Sequence, residues 1–351
     1  MIDIEKESIV YFFEKHGVKT VERVGNEKIW KNTLESLSYA PVSFSNSYLD
    51  YQNAYWTGNS DYYYDISVII YHNSTPCGLW PVSISKNKDH IKFGSFGSIL
   101  SSPILVPHLA QRTQKAIFKA CTAVARDIAS ELDLSKYESD IPFTNEVGSN
   151  LWYEIELENG SQTTVIHDLF LDLKPEIEKI KNGFRKSYKS LITQGQKLWN
   201  IKLLKTEDYP VWNEYKNLHL SVSGKKTRSD ISWDKQLEAI KNGDAFLVYI
   251  TDQKGVMVGG GLFYTTKNEG LYCVGVYDRK LFDYPLGHTV QFSAIQELKI
   301  RGIQWYKIGY YPTMNEIPKP SEKDFSIAHF KKGFSSHLVP KLKISHTTIV
   351  K

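Results

Sequence analysis

The stretch from Asp244 to Tyr311 restricts this chain to a mixed α/β architecture. AFLVYI (Ala245–Ile250) is short, apolar and β-rich, and TDQKG (Thr251–Gly255) has turn chemistry, with Gly255 able to adopt positive φ. VMVGGGLFY (Val256–Tyr264) reads as the return strand, and LYCVGVY (Leu271–Tyr277) as the next one after the turn TKNEG. A loop with Pro285, Gly287 and His288 leads into a helix over roughly Thr289–Lys299, ended by Gly302, and IQWYKIGYY (Ile303–Tyr311) is a further strand.

The rest of the chain is less regular. Ile9, Val10, Phe12 and Phe13 give a first helix an apolar face, and Glu27–Leu37 reads as a second helix. Tyr39–Gly58 mixes Pro, Ser, Asn and aromatics and predicts irregular structure, followed by a tyrosine-rich polar loop over Thr57–Asp65. Asp65–His72 and Leu79–Ser85 form a hairpin around Asn73–Gly78, and the glycine-rich Ile91–Pro107 is strand-like. Ile117, Ala120, Val124 and Ile128 recur at helical spacing in a long amphipathic helix, about Ala110–Leu132. Ser135–Asn150 reads as a connector and Leu151–Glu158 as a strand. From His167 a strand gives way to a basic helix running to Asn200, then come a strand at Ile201–Leu204 and helices at Asp208–Ser223 and Ser232–Asn242.

Two blocks share an order of elements. ISVIIYHNSTPCGLWPVSISKNKDHIKFGSFGSIL and FLVYITDQKGVMVGGGLFYTTKNEGLYCVGVYDRKL each give strand, turn, strand, polar turn and a glycine-containing strand before a helix. At 351 residues the chain has room for two domains. The expectation is therefore a duplicated module: residues 1–150 as a degenerate copy and 151–351 as the better-kept one. Each would hold a mixed, largely antiparallel sheet flanked by helices. One large sheet with similar hairpins is the alternative.

Composition narrows the function classes. A net charge of +4 lacks the strong basic bias of a dedicated DNA binder. Three widely spaced cysteines show no metal or redox spacing, and the ten histidines show no zinc pattern, so no metal is expected. The N-terminus lacks a secretory pattern, and no apolar run reaches the roughly 18 residues needed to span a bilayer. The expectation is a cytoplasmic protein with no transmembrane segment. Neither G-x-S-x-G nor the phosphate-loop motif occurs.

Several residues carry candidate chemistry. Gly259, Gly260 and Gly261 lie within a strand, so they mark a bulge or close approach, or an edge that receives a ligand by strand-like hydrogen bonding. Gly287 and His288 precede a helix, where backbone N–H groups favour phosphate, or the glycine simply caps the turn. Arg185, Lys186 and Lys189 lie within about one helical turn and suit phosphate or carboxylate, or form a solvated face. Lys331 stands between Phe330 and Phe334 and suits a developing oxyanion, unless the two aromatics only anchor a last strand.

Taken together, FRKSYKSLI (Phe184–Ile192), Tyr277-Asp278-Arg279, the helix ending Arg301-Gly302-Ile303 and Phe330-Lys331-x-x-Phe334 resemble the FemABX-like branch of the GNAT acyltransferase superfamily. The likeness covers most of Leu151–Val339, with Ser335 replacing the glycine that closes the family's last motif. The resemblance implies two tandem GNAT-like domains and transfer of an acyl group to an amine. The donor would be acyl-CoA (acetyl-CoA) or aminoacyl-tRNA, and the acceptor a sugar-linked amine or cell-envelope glycan precursor. By likeness Lys331 stabilises the transfer centre, and Arg185 and Lys186 contact phosphate of the donor or acceptor. Asp278, Asp61 and His288 are candidate bases; Tyr310, Tyr311 and Tyr62 are candidate proton donors, with Asp61, Tyr62 and Tyr311 toward the acceptor. No coiled-coil arm of the kind some tRNA-dependent members carry is visible, which favours the thioester donor. A non-catalytic binding protein on the same fold is the remaining alternative.

Overall fold

The computed structural model describes residues 9–88, 90–144 and 150–348. The chain forms two compact units, one reaching Val165 and rejoined by the residues from Lys341 on, the other Ile166–Pro340. This differs from a division at residue 150: residues 151–165 and the chain's end belong to the first unit. No described helix is long and apolar enough to cross a membrane.

In the first unit, strands Lys19–Glu22, Val68–His72, Thr75–Trp80 and Ile104–Leu105 form one sheet in that order. Tyr62–Asp65, Ser83–Asn87 and His90–Gly94 form another. The predicted hairpin pairs Val68 with Trp80 and Ile69 with Leu79. The amphipathic helix spans Gln111–Glu131 and packs Ile117, Cys121, Val124 and Ile128 into a core with Phe13, Trp80 and Trp152.

Four expectations fail here for identifiable reasons. Asn46–Thr57 is a helix because Leu49 and Tyr51 bury one face, so tertiary burial overrides a mixed composition. Tyr62–Asp65 is a strand, not a polar loop, because Ser83–Lys86 supplies its ladder. Lys136–Asp140 is a strand within the expected connector, paired with Lys343–Thr347. Leu151–Glu158 is a helix: the Asn150 side chain accepts from the Trp152 N–H (2.8 Å), and Trp152, Ile155 and Glu156 are buried at helical spacing.

The second unit contains β1 (Gln162–Asp172) from Ile166 on, α1 (Ile177–Gly183), α2 (Lys186–Leu198), β2 (Asn200–Leu204), α3 (Tyr209–Ser223) and α4 (Asp230–Lys241). After them come β3 (Ala245–Thr251), β4 (Met257–Thr265), β5 (Glu269–Tyr277), α5 (Leu286–Ile300), β6 (Trp305–Tyr311) and α6 (Glu322–Lys332). The strands stand in the order β2-β3-β4-β5-β6-β1. Every residue of β3 and β4 is buried, which explains their continuous apolar runs.

The ladder is incomplete at one place. β5 and β6 are parallel neighbours, yet they pair only at Glu269–Leu271 opposite Trp305–Lys307. Beyond those residues β5 stays paired to β4 as far as Tyr277, and β6 to β1 as far as Tyr311. The sheet thus opens along the second half of β5. Phe330 and Phe334 are not in a last strand; Phe330 lies in the last turn of α6, which a Ser321–Asp324 capping box starts.

Helices α2 and α5 meet at Gly195, where a Cβ would overlap the Thr289 hydroxyl, itself bonded to the Pro285 carbonyl (2.7 Å). Gly195→Ala should therefore destabilise the protein by about 1–3 kcal/mol despite the better helix propensity of alanine, read from urea unfolding midpoints.

Candidate active site

A cleft of about 910 Å³ opens where β5 leaves β6. Tyr272, Cys273, Gly275, Val276 and Tyr277 of β5 form one wall, with Val222 at the end of α3 beside them. Arg279, Phe282 and Tyr284 of the following turn, then Leu286, Gly287 and His288 at the start of α5, form the next. α6 supplies Lys323, Ser326, Ile327, Phe330 and Lys331. Volume and mixed lining suit a small-molecule site.

Lys331 is the central charge. Its stem approaches Gly309 so closely that a Cβ there would lie 2.5 Å from Nζ, and Gly309 adopts φ +143°. The backbone conformation favours glycine, and a Cβ there would push the lysine amine aside. The ammonium also stands 5.5 Å from the centre of the Tyr272 ring. Burial lowers the Lys331 pKa, and the Asp168 carboxylate opposes that shift. Asp168 itself is paired with Lys307 (2.7 Å).

α6 is held by its C-terminal end. The Arg185 guanidinium donates to the His329 carbonyl (2.9 Å) and to the Tyr188 hydroxyl (3.0 Å). Tyr188 in turn donates to the Phe330 carbonyl (3.0 Å), and the Arg185 N–H bonds the Gly333 carbonyl (2.9 Å). A cation on the last carbonyls of a helix complements its dipole. The basic segment thus positions Lys331: Arg185 is engaged with α6, and Lys186 is exposed at the start of α2, away from the lining.

The tyrosines of β5 form a second group. Tyr272 and Tyr277 bring their hydroxyls within 3.3 Å of each other. Gly275 makes this possible, because a Cβ there would overlap the Tyr272 hydroxyl. Burial raises both phenol pKa values, so both are proton donors at neutral pH. The Cys273 thiol is pushed up to about 12 by burial and is not a nucleophile.

Of the residues singled out in the sequence, Lys331, Gly287 and His288 line the cleft. Gly259 and Gly260 do not present an edge, because β4 is paired on both sides with β3 and β5. Their bare Cα positions instead admit the rings of Tyr277 and Tyr215. Asp278 caps a turn by accepting from the Lys280 N–H (3.0 Å) and does not line the cleft, though its neighbours Tyr277 and Arg279 do. Tyr310 is 41% exposed and follows Gly309 by one position on a strand, so it faces away from Lys331. Tyr311 packs on the apolar core. Asp61, whose carboxylate accepts from the Lys88 N–H (2.5 Å), and Tyr62 belong to the first unit and are not in the lining. Sequence reasoning missed Tyr272 and Gly275 and gave Tyr277 only as part of a motif; their signal was a glycine between tyrosines on a strand next to a helix crossover.

No family model matches the sequence, and no curated protein matches it. Solved structures do. FemX superposes with a TM-score of 0.65 over 94% of this chain and 97% of its own, at 11% identity. The fold is FemABX/GNAT-like. The C-terminal domain of a protein from Agrobacterium fabrum, provisionally described as a lysylphosphatidylglycerol synthetase, matches at 0.58 over 92% of each chain and 10% identity. A tandem GNAT protein from the clavulanic acid biosynthesis pathway matches at 0.53 over 95% of this chain and 99% of its own, at 11% identity. In this tandem GNAT-like architecture, the opened β5–β6 pair belongs to the second unit.

His288 adds a pH dependence. Its ring lies edge-on to Tyr188 (4.5 Å) and Phe330 (5.1 Å), and burial, with Arg185 nearby, pushes its pKa down to about 4. The unfolded chain takes up this proton below its ordinary value of about 6.5, while the folded state stays neutral to about 4. Stability is therefore present above pH 6.5 and lost as pH falls toward 4. His219, half-buried beside Trp233 and Arg228, is also pushed down to about 4 and shares the window. His288→Gln should remove on the order of 2 kcal/mol of the acid-side slope, measured by urea unfolding at pH 7 and pH 4.5.

Proposed function

We propose that this protein is an N-acyltransferase that moves an acyl group, acetyl or similar, from a CoA-type thioester to an amine of a sugar-linked or envelope-glycan precursor. The observation that carries the reading is the cleft at the opened β5–β6 pair with the Lys331 ammonium at its base. Arg279, Lys323 and Lys331 line it and no carboxylate is among its described lining residues, which favours an anionic donor. The FemABX/GNAT-like fold supports the same class of chemistry.

The amine attacks the thioester carbonyl, the C–N bond forms, and the carbonyl oxygen gains negative charge. Lys331 faces that charge from a site with little water, where an ammonium is most effective. Collapse breaks the C–S bond, and the departing sulfur takes a proton from the Tyr272–Tyr277 pair, which recovers one from the solvent that accepts the proton of the amine. The attacking amine enters neutral and loses its second proton to solvent at the mouth. With Cys273 inert, transfer is direct.

Thiol release from acetyl-CoA in the presence of amino sugars tests the reading, with aminoacyl-tRNA and RNase treatment as a parallel arm. Lys331→Met is expected to lower kcat by about 100-fold or more with the fold intact. Gly309→Ala should act similarly, because its Cβ would displace the Lys331 amine. Absence of turnover with both donors overturns the assignment.

A further inference from the structure

Two buried polar side chains behind the Tyr272–Tyr277 pair have no part in the reaction as described. Gln291 on α5 and Tyr306 on β6 are both fully buried. The Tyr306 hydroxyl donates to the Gln291 side-chain carbonyl (2.5 Å). Burial raises the Tyr306 pKa, so this phenol keeps its proton and holds the amide with its oxygen turned toward Tyr306. The NH2 end of Gln291 is thereby left facing elsewhere, and among the described residues it has no hydrogen-bond partner. A buried amide donor without an acceptor is costly to keep and calls for an explanation.

Tyr272 supplies one. Burial raises its pKa, and the Tyr277 hydroxyl and the Gln291 amide pull it back. At Tyr277 burial raises the pKa, and the Tyr272 hydroxyl raises it further. Negative charge is therefore easier to place on Tyr272 than on Tyr277. The Lys331 ammonium, 5.5 Å from the centre of the Tyr272 ring, favours the same oxygen. The Tyr272 ring is held by stacking on Phe263 at 5.3 Å and 23°, and Phe263 also packs against the Tyr306 ring (6.1 Å).

We propose that Gln291 is a positioning residue for the proton-donating step: its N–H, idle in the resting state, closes on the Tyr272 oxygen as that oxygen becomes a phenolate. The proposal rests on the acyl-transfer reading and deepens it by setting the order of transfer within the tyrosine pair. As the C–S bond breaks, the Tyr277 proton goes to the sulfur and the Tyr272 proton crosses the 3.3 Å contact to Tyr277. The negative charge comes to rest on Tyr272, and the solvent that took the proton of the amine returns one to it. A hydrogen bond that forms only as charge develops raises kcat without tightening substrate binding. Tyr306 acts through Gln291, since without its hydroxyl the amide is free to turn its oxygen toward Tyr272.

Steady-state kinetics of the full chain with an amino sugar and acetyl thioesters of graded thiol acidity test this. For acetyl-CoA, whose thiol is a basic leaving group, Gln291→Met and Tyr306→Phe should each lower kcat about 10-fold or more with KM unchanged. The loss should shrink for thioesters of acidic aryl thiols, which depart without a proton. Equal losses along the thiol series, or unchanged kcat in both variants, overturn the role. A second measurement needs no turnover. Fluorotyrosine placed at Tyr272 and followed by fluorine NMR through an alkaline titration should ionise at higher pH in Gln291→Met and in Tyr306→Phe than in the otherwise unaltered chain, because each variant takes a donor from its oxygen. Unchanged ionisation in both overturns the contact. The two readings fail separately. Absence of turnover with every donor in the unaltered chain sinks acyl transfer, and the fluorine titration still decides Gln291. Normal turnover with no effect of either variant does the reverse.

Discussion

An ammonium pressed into protein is costly, and the second unit is arranged around making that tolerable for Lys331. Three things have to hold at once. β6 must present a bare Cα at Gly309, in a backbone conformation that disfavours other residues. Asp168, across the ladder on β1, supplies the opposing charge. The end of α6 must be fixed, which Arg185 and Tyr188 do through the His329 and Phe330 carbonyls. If any one of these is lost, the amine swings to water, where its field is screened.

The same constraint links the fold to the cleft. β6 and β5 share only a short parallel ladder, so the second half of β5 turns an edge to the cleft while its other edge stays paired to β4. That leaves Tyr272, Gly275 and Tyr277 along an opening where alternate peptide groups of β5 face the cleft in place of a neighbouring strand. The tight turn after β5 then brings Arg279, Phe282 and Tyr284 to the mouth before α5 begins. Positive charge is set at both base and rim, with aromatic surface between.

Some of the site was legible in the chain. Lys331 stood out because two aromatics and a glycine surround it, and Gly287 and His288 because they open a helix. The glycines of β4 misled for a physical reason: a glycine in a strand signals that something comes close, but not whether that is a ligand or a neighbouring ring. Here it is Tyr277 and Tyr215. Arg185 misled likewise, since a guanidinium matches carbonyls at a helix end as well as it matches phosphate. Tyr310 and Tyr311 are adjacent in sequence and opposite in direction, which only the strand's orientation resolves.

By itself the sequence determined the order of strands and helices from Asp244 to Tyr311, because turn chemistry and hydrophobic period are local properties that a few residues settle. It also settled the amphipathic helix Gln111–Glu131. Leu151–Glu158 went the other way: eight residues carry too little periodicity to tell helix from strand, and burial of Trp152 and Ile155 decided it. Only the tertiary structure decided the cleft. Its walls come from β5, the following turn, α5 and α6, stretches far apart along the chain, and which of their side chains converge depends on ladder register and on where one helix end is tied down.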